Sequence, residues 1–421
     1  MADVPKRFYE ILDEKQIITD TRAYNTSTIG VNRRIRFAIK PKDTKQVSQV
    51  LKLANLLKLH VYPISRGRNW GYGTANPVKN DAIILDLSGM NRIVSFDREL
   101  GLVRLEPGVT TKQLYDFLKA RKLPFLVPVS GAGPKSSLIG NALERGYGIT
   151  PHADHFSALH AMEVVLADGS IYNSTLQQAG CSLANDVFRY SVGPYLEGLF
   201  TQSNLGIVTQ ATISLAKRQE RVEAFFFSLK SESSLERTVT STSRILHKIG
   251  GTTGSINLMN KHRVLSMMVD YPDIAEELIP KKLLDKLASK NQVRDWMGVG
   301  VIYGDAGMVK AAKKAIKKEL SANCQILMFI NESRLRFLEW VVRSIPQRIR
   351  PNILSRVDTM RKALDNFSGM PSDVALPLCW WRNKRTYVKG ADPAEHRCGL
   401  IWYSPLIPAK KDIVRKYVDT T

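Results

Sequence analysis

The stretch that decides the fold is PISRGRNWGYG, residues 63–73, which follows the strand-like segment His60–Ile64. Backbone amides can approach a diphosphate closely only where side chains are absent, and glycine provides that access. Polar side chains add hydrogen bonds, and arginines add positive charge. The glycines, polar residues and arginines of this loop are Gly67, Gly71 and Gly73, Ser65 and Asn69, and Arg66 and Arg68. The pattern indicates a loop that binds phosphate groups.

The spacing of the loop does not match the best-known phosphate-binding motifs. It is neither that of a Rossmann fingerprint nor that of a Walker loop, which needs Gly-Lys-Ser/Thr. A tight structural turn would also account for the glycines. The loop by itself therefore leaves a phosphate cradle and a structural turn both open.

The residues around the loop alternate between strand and helix patterns. Ile35–Ile39 predicts a strand, Asp43 or Thr44 is a suitable N-cap for a helix, and His60–Ile64 predicts a second strand. Together they form a βαβ unit. Further strands, a helix and a hairpin turn are predicted downstream, at Ala82–Leu87, Leu102–Val109, Met162–Leu166, Thr111–Lys119 and Ala167–Ser170.

The character of the chain changes near Arg218, where the glycine-rich loops become sparse. Beyond this point strand and helix patterns alternate as in a sheet that packs against helices. The strand patterns are Ala224–Leu229, Trp296–Tyr303 and Ile326–Ile330, and the helix patterns are Leu235–Lys248 and Met308–Leu320. We expect two α+β domains, residues 1–218 and 219–421.

Two more glycine-rich stretches follow the first loop, and their order is informative. They contain IGNALERGYGITPHADH, residues 139–155, and GPYLEGLFTQSNLGIVT, residues 193–209, and between them lies MEVVLADGS, residues 162–170. With LEPGVT at residues 105–110 and CGLIWYSPLIP at residues 398–408, the series closely resembles the vanillyl-alcohol oxidase and p-cresol methylhydroxylase flavoproteins. The resemblance is strong over residues 35–218 and weaker beyond them.

This resemblance implies a two-subdomain FAD-binding domain of the p-cresol methylhydroxylase type, followed by an α+β cap domain that shapes the substrate pocket. It implies that FAD accepts a hydride from a small organic substrate, aromatic or alcohol. A non-catalytic scaffold subunit of a split flavoenzyme is the alternative. By the same resemblance, Ser65, Arg66, Gly67, Arg68, Asn69 and Gly71 bind the pyrophosphate; Ser136, Ser137, Gly140 and Asn141 line the flavin and its ribityl chain; and Glu163 and a turn at Gly206, Ile207 and Val208 lie near the adenosine.

The candidate catalytic residue is Tyr72, which matches a family tyrosine that orients phenolic substrates. Two other family positions differ, because Ala132 stands where phenol oxidases carry a carboxylate and Ile149 stands where they carry a second tyrosine. An ordinary para-alkylphenol is therefore a doubtful substrate. His155 has two interpretations, a contact with the flavin or a phosphate, and a hydrogen-bonded structural histidine.

Charge and composition exclude several classes of protein. The net charge is +22, but no nucleic-acid fold signature accompanies it, so an acidic protein partner or a solubilising surface explains it better. Neither a signal peptide nor a membrane span is indicated, and we expect a cytoplasmic protein. The four cysteines lack Cys-x-x-Cys spacing, and no metal site is indicated.

The last expectation concerns the end of the chain. The resemblance implies a further segment after WYSP, residues 402–405, that carries the usual covalent flavin anchor. We therefore expect FAD to be bound non-covalently. We also expect the protein to form a homo-oligomer or to bind a second chain that supplies this segment.

Overall fold

The computed structural model describes residues 4–276, 278–344, 350–382 and 391–420, and these residues fall into two compact units. The first unit holds residues 4–148, 154–217 and 391–402. The second holds residues 149–153, the described part of 218–382, and 403–420. The sequence assigned residues 391–402 to the second domain, whereas in the structure the chain returns to the first unit there.

The first unit begins with a four-stranded sheet in the order β1-β2-β4-β3. Its elements are β1 (Ile17–Ile18), β2 (Ile35–Ile39), α1 (Thr44–Leu56), β3 (Val61–Ile64) and β4 (Ala82–Asp86). Strands β2 and β3 both pair with β4 in parallel, so three strands end at the same edge. Asp43 accepts a hydrogen bond from the Gln46 amide and begins α1, as the sequence predicted. Helix α1 packs on the sheet through Val47, Val50 and Leu51.

A second sheet completes the first unit. Its five strands are all antiparallel, in the order β5-β6-β9-β7-β8. Its elements, with the helices that connect them, are β5 (Ile93–Asp97), β6 (Leu102–Leu105), α2 (Thr111–Ala120), α3 (Leu138–Leu143), β7 (Leu159–Leu166), β8 (Ile171–Asn173), α4 (Thr175–Gln178), α5 (Ser182–Val187) and β9 (Gly206–Ser214).

One prediction about this sheet was wrong. The sequence placed a turn at Gly206, Ile207 and Val208, but these residues open β9 and pair with β7. The β-branched residues that follow Gly206 favour the extended conformation. Gly206 serves close packing, because a Cβ atom there would lie 2.5 Å from Cγ1 of Val164.

The second unit is a four-stranded antiparallel sheet with helices, in the strand order β11-β12-β10-β13. Helices α6 and α9 pack on it through Leu235, Ile245, Val309 and Ile316. The elements of this unit are β10 (Arg221–Leu229), α6 (Leu235–Ile249), β11 (Thr253–Asn260), α7 (Lys261–Met268), α8 (Lys281–Lys290), β12 (Trp296–Gly304), α9 (Ala306–Leu320), β13 (Cys324–Asn331), α10 (Glu332–Arg343), α11 (Arg350–Phe367) and α12 (Lys411–Thr420).

The predicted α+β class is confirmed, with two sheets in the first unit and one in the second. The strands and helices predicted on either side of residue 218 are all present, with ends that differ by a few residues. Among the described residues, none of the helices combines the length and the apolar character that crossing a membrane requires.

Two glycines on β12 make room for the aromatic core of the second unit. Phe225 and Phe227 on β10 are buried, with their rings stacked at 6.2 Å between centroids. In the pairing of β10 with β12, Gly300 lies opposite Phe225 and Gly298 lies opposite Phe227. A Cβ atom on Gly300 would lie 2.4 Å from Cζ of Phe225, so the ring occupies the space that a side chain would need.

Replacing Gly300 by alanine should therefore destabilise the second unit, by about 1–3 kcal/mol, the usual cost of overpacking a core. Gly250→Ala is the matched control, because a Cβ atom there meets nothing within 4 Å. Urea denaturation of both variants measures the free energy of unfolding. Equal stability of Gly300→Ala and Gly250→Ala would contradict the packing described for the Phe225 ring.

Candidate functional site

The first site feature is the edge at which the three parallel strands end. Lys40 follows β2, Ser65 and Arg66 follow β3, and Asp86 ends β4. The register aligns Ile39 with Leu85 and Ile64 with Asp86, so these ends are level. In open sheets with parallel strands, ligands bind outside the carboxyl ends of the strands. The predicted phosphate loop begins at this edge.

Arg66 is the cation of the loop that is free to meet an anion. Its side chain is half-buried, and burial together with the charge of Arg68 lowers the pKa of the guanidinium. Nη1 donates to the Ser88 carbonyl at 3.4 Å, and within the described residues no carboxylate lies within 4.0 Å of it. The Ser65 and Asn69 side chains likewise make no hydrogen bond to any described residue. This donor set suits a diphosphate.

Behind Arg66 lies a buried carboxylate, Asp86, which is 6% exposed. Its oxygens accept hydrogen bonds from the Tyr24 hydroxyl at 2.8 Å and from the Ser88 amide at 2.9 Å. Lys40 lies 3.4 Å from the same carboxylate. Lys40 and Arg66 therefore carry two positive charges close to one buried negative charge, that of Asp86. Burial and the Asp86 charge both raise the pKa of Tyr24, which stays a neutral donor.

Close backbone approach explains the glycines at two points of the site. Gly67 has φ +61°, the left-handed region that glycine adopts without strain, and an added Cβ atom would lie 3.1 Å from Cβ of Ala75. A Cβ atom on Gly140 would lie 2.3 Å from Oγ of Ser65. The second glycine stretch therefore lies directly against the first loop. The two stretches together are the predicted place of the diphosphate and ribityl parts of FAD, and Ala75 and Ser65 occupy the space beside the two glycines.

The other end of the loop is held by the segment of residues 391–402. The Trp70 indole donates to Oδ1 of Asp392 at 2.9 Å, and Nη2 of Arg68 lies 3.5 Å from Oδ2 of the same residue. The Trp402 amide donates to the Gly71 carbonyl at 3.3 Å. A Cβ atom on Gly71 would lie 2.8 Å from the backbone nitrogen of Trp402. Gly71 thus faces this segment.

The polar residues predicted to line the flavin surround helix α3. The Ser137 hydroxyl accepts from the Gly140 amide at 2.9 Å and donates to the Pro107 carbonyl at 2.6 Å, while the Ser136 hydroxyl donates to the Gly133 carbonyl at 2.8 Å. His155 is 4% exposed, and its Nδ1 bonds to Oδ1 of Asn141. This hydrogen bond to Asn141 supports the interpretation of His155 as a structural histidine. The contact of His155 with the flavin stays a prediction.

Glu163 lies on β7, and its side chain contacts the first residue of α1. Its Oε1 accepts hydrogen bonds from the Thr44 hydroxyl at 2.7 Å and from the Thr209 hydroxyl at 2.8 Å. Ile207 and Val208 are buried in the neighbouring strand. These residues tie helix α1 to strands β7 and β9. Their predicted place beside the adenosine stays a prediction.

Tyr72 stands in the open part of the loop, with its side chain 59% exposed. Partial burial and the carboxylate of Glu144 both raise the pKa of Tyr72, and the same two causes raise the pKa of the half-buried Tyr62. Glu144 itself has a raised pKa, because neighbouring protein atoms partly remove it from water. The phenol of Tyr72 is therefore a neutral hydrogen-bond donor beside an acid whose pKa is raised.

Comparison with known proteins identifies the family of this chain. The model of the FAD binding domain family matches residues 35–175. A 1'-carboxy-chondrochloren decarboxylase from Chondromyces crocatus is 34% identical over 409 residues, which are 96% of this chain and 75% of the relative. The chain belongs to the p-cresol methylhydroxylase and vanillyl-alcohol oxidase family of FAD-binding flavoproteins. It is an enzyme of the flavin-dependent oxidoreductase type, and its cofactor is FAD.

Further members of the family are similar over part of the chain or in fold. The 4-cresol dehydrogenase (hydroxylating) flavoprotein subunit of Pseudomonas putida is 39% identical over 173 residues, 41% of this chain and 33% of that protein. The structure of p-cresol methylhydroxylase with substrate bound has a TM-score of 0.82 at 23% identity, and it covers 98% of this chain and 75% of its own. That likeness concerns the fold. The described residues contain no group of three or more His, Cys, Asp or Glu side chains that could hold a metal ion.

Sequence reasoning missed the carboxylates of this site. Asp86 and Asp392 are separated from the loop along the chain, and only the folded structure brings them to Arg66 and Arg68. Asp86 could have been found from the sequence, because an aspartate at the carboxyl end of an apolar parallel strand lies at the edge where ligands bind. Glu144 lies inside a quoted motif, and its effect on Tyr72 depends on the fold. Asp392 lies more than 300 residues from Trp70, and no sequence pattern connects them.

Replacing Gly140 by alanine should weaken FAD binding, since the new Cβ atom would lie 2.3 Å from Oγ of Ser65 and must turn that hydroxyl out of its place. The matched control is Gly198→Ala in the same unit, where the nearest atom would be 3.6 Å away. Flavin content of the purified proteins and FAD titration of the apoproteins measure the effect. A folded Gly140→Ala variant with the flavin content of the control would show that α3 and the loop do not form one binding site.

Proposed function

We propose that this chain binds FAD non-covalently and oxidises a small organic substrate that carries a carboxylate, with release of carbon dioxide. The proposed substrate class rests on the similarity to the 1'-carboxy-chondrochloren decarboxylase, which extends over 96% of this chain. The free Arg66 guanidinium and the contact between the two glycine stretches support the cofactor site.

The reaction that joins oxidation to decarboxylation balances without a further reagent. A hydrogen leaves as hydride from the carbon next to the carbon that bears the carboxylate. The bond to the carboxylate breaks, its electron pair forms the carbon–carbon double bond, and carbon dioxide is released. FAD, when bound, supplies the acceptor for the two electrons and the hydrogen. The products are an alkene and carbon dioxide.

Tyr72 is proposed to orient the substrate. A phenol is protonated at neutral pH, so the hydroxyl is available to donate a hydrogen bond to the substrate. The Glu144 carboxylate is proposed to extend this state to higher pH, since partial burial and the Glu144 charge both raise the pKa of Tyr72.

The experiment uses paired substrates that differ only in the carboxylate. Para-hydroxyphenyl compounds with and without a carboxylate on the side chain are mixed with the yellow holoenzyme without oxygen. Bleaching of the flavin and labelled carbon dioxide from the carboxylate member are expected. Simple para-alkylphenols should be poor substrates. Bleaching by the alkylphenols with no carbon dioxide from any carboxylate compound would contradict the proposed substrate class.

A second prediction concerns pH. In Glu144→Gln the negative charge that raises the Tyr72 pKa is gone, so this pKa falls. If Tyr72 must be protonated, the alkaline limb of the profile of kcat/KM moves to lower pH in Glu144→Gln and is absent in Tyr72→Phe. Activity of Tyr72→Phe should fall by about ten- to a hundredfold, the usual effect of losing a hydrogen bond to a charged group, with FAD content unchanged. An alkaline limb that stays in place in both variants would exclude this role of Tyr72.

Assembly is the remaining part of the proposal. The relative from Pseudomonas putida is named as a flavoprotein subunit, which supports association of this chain with a second chain or a second copy. The net charge of +22 favours an acidic partner, and such binding should weaken as salt rises. The scaffold alternative separates from catalysis in the FAD titration, because apoprotein that takes up no FAD would support a scaffold.

A further inference from the structure

The segment of residues 391–402 contacts the side chains of the predicted phosphate loop through the carboxylate of Asp392. We infer that Asp392 is a positioning residue for the FAD diphosphate, which acts by holding Arg68 and Trp70. This inference rests on the proposed FAD site. Asp392 lies 3.5 Å from the Arg68 guanidinium and accepts from the Trp70 indole at 2.9 Å. Both charged side chains are largely buried, 19% exposed for Arg68 and 18% for Asp392.

The two arginines of the loop then have different tasks. Arg66 has no carboxylate partner within 4.0 Å among the described residues, so its charge is available to the diphosphate. Arg68 is paired with Asp392, and its guanidinium lies over the Trp70 ring, 5.4 Å from the centroid. The sequence assigned both arginines to the diphosphate. The contacts assign Arg66 to the cofactor and Arg68 to the internal order of the loop.

The segment that carries Asp392 is itself anchored in the first unit. The Thr28 hydroxyl donates to the Leu400 carbonyl at 2.7 Å, and the Gly399 amide donates to the Thr28 carbonyl at 2.6 Å. Oδ1 of Asp392 also accepts from the Ala394 amide at 2.9 Å, which fixes the orientation of the carboxylate. The two carboxylate oxygens of Asp392 are therefore held in one orientation. They bind a loop that could otherwise adopt many conformations, because it contains Gly71 and Gly73.

The direction in which FAD affinity changes when the charge of Asp392 is removed tests this inference. A carboxylate close to a bound diphosphate repels it, so removing the charge of Asp392 should by Coulomb's law alone tighten FAD binding. If Asp392 acts by ordering the loop, removing its charge weakens FAD binding instead. The two effects are opposite in direction, so one affinity measurement distinguishes them.

The first experiment compares Asp392→Asn with Glu395→Gln. Both changes remove one carboxylate from the same segment, but Glu395 is exposed and makes no ion pair with any described residue. FAD titration of the apoproteins should give about tenfold weaker binding for Asp392→Asn, the factor expected for loss of a charge-assisted hydrogen bond. The control should bind as the unaltered protein does. Unchanged or tighter binding by Asp392→Asn would overturn the inference.

A second measurement keeps the test valid if Asp392→Asn does not fold. The dependence of FAD affinity on salt reports direct charge contacts with the diphosphate. Arg66→Gln should flatten this dependence, whereas Arg68→Gln should weaken FAD binding at every salt concentration without changing the slope. A flattened slope in Arg68→Gln would place Arg68 on the diphosphate and contradict its assignment. An unaltered protein that takes up no FAD would defeat the proposed function itself.

Discussion

Three parallel strands that end at one edge are the constraint on which the site depends. Because β2, β3 and β4 run in the same direction, the residues that follow them meet in space although they are far apart in sequence. Lys40, Arg66 and Asp86 come together in this way. The edge therefore holds two positive charges and one buried carboxylate, and the predicted phosphate loop begins there.

Close backbone contact is the second determinant. At Gly140 the backbone lies against the Ser65 hydroxyl, and at Gly71 it lies against Trp402. The first contact brings the two glycine stretches together, and the second joins the loop to the segment of residues 391–402, which lies between two stretches of the second unit in the sequence. In each case a neighbouring group already occupies the space that a side chain would need. Gly71 and Gly140 thus serve packing within the protein, and the contact of the loop with the cofactor stays a prediction.

Much of the first unit could be predicted from the sequence. Local signals specify its elements, as the Asp43 cap and the apolar spacing of α1 show. The loop at residues 63–73 was predicted to bind phosphate because backbone access to phosphate requires glycine, and that role stays a prediction. The turn at Gly206 was wrong because the glycine there serves packing against Val164. The pairing of Arg68 with Asp392 could not be predicted, since it depends on the return of residues 391–402 to the first unit.

The central claim is that the loop at residues 65–71 and the start of α3 hold the FAD diphosphate together. Hydrogen–deuterium exchange of the apoprotein, with and without FAD, tests it most directly. We predict that FAD slows exchange of the backbone amides in both segments, residues 65–71 and residues 137–141, with ADP protecting the first of them as well. Slower exchange elsewhere in the first unit, with both segments unchanged, would contradict the account.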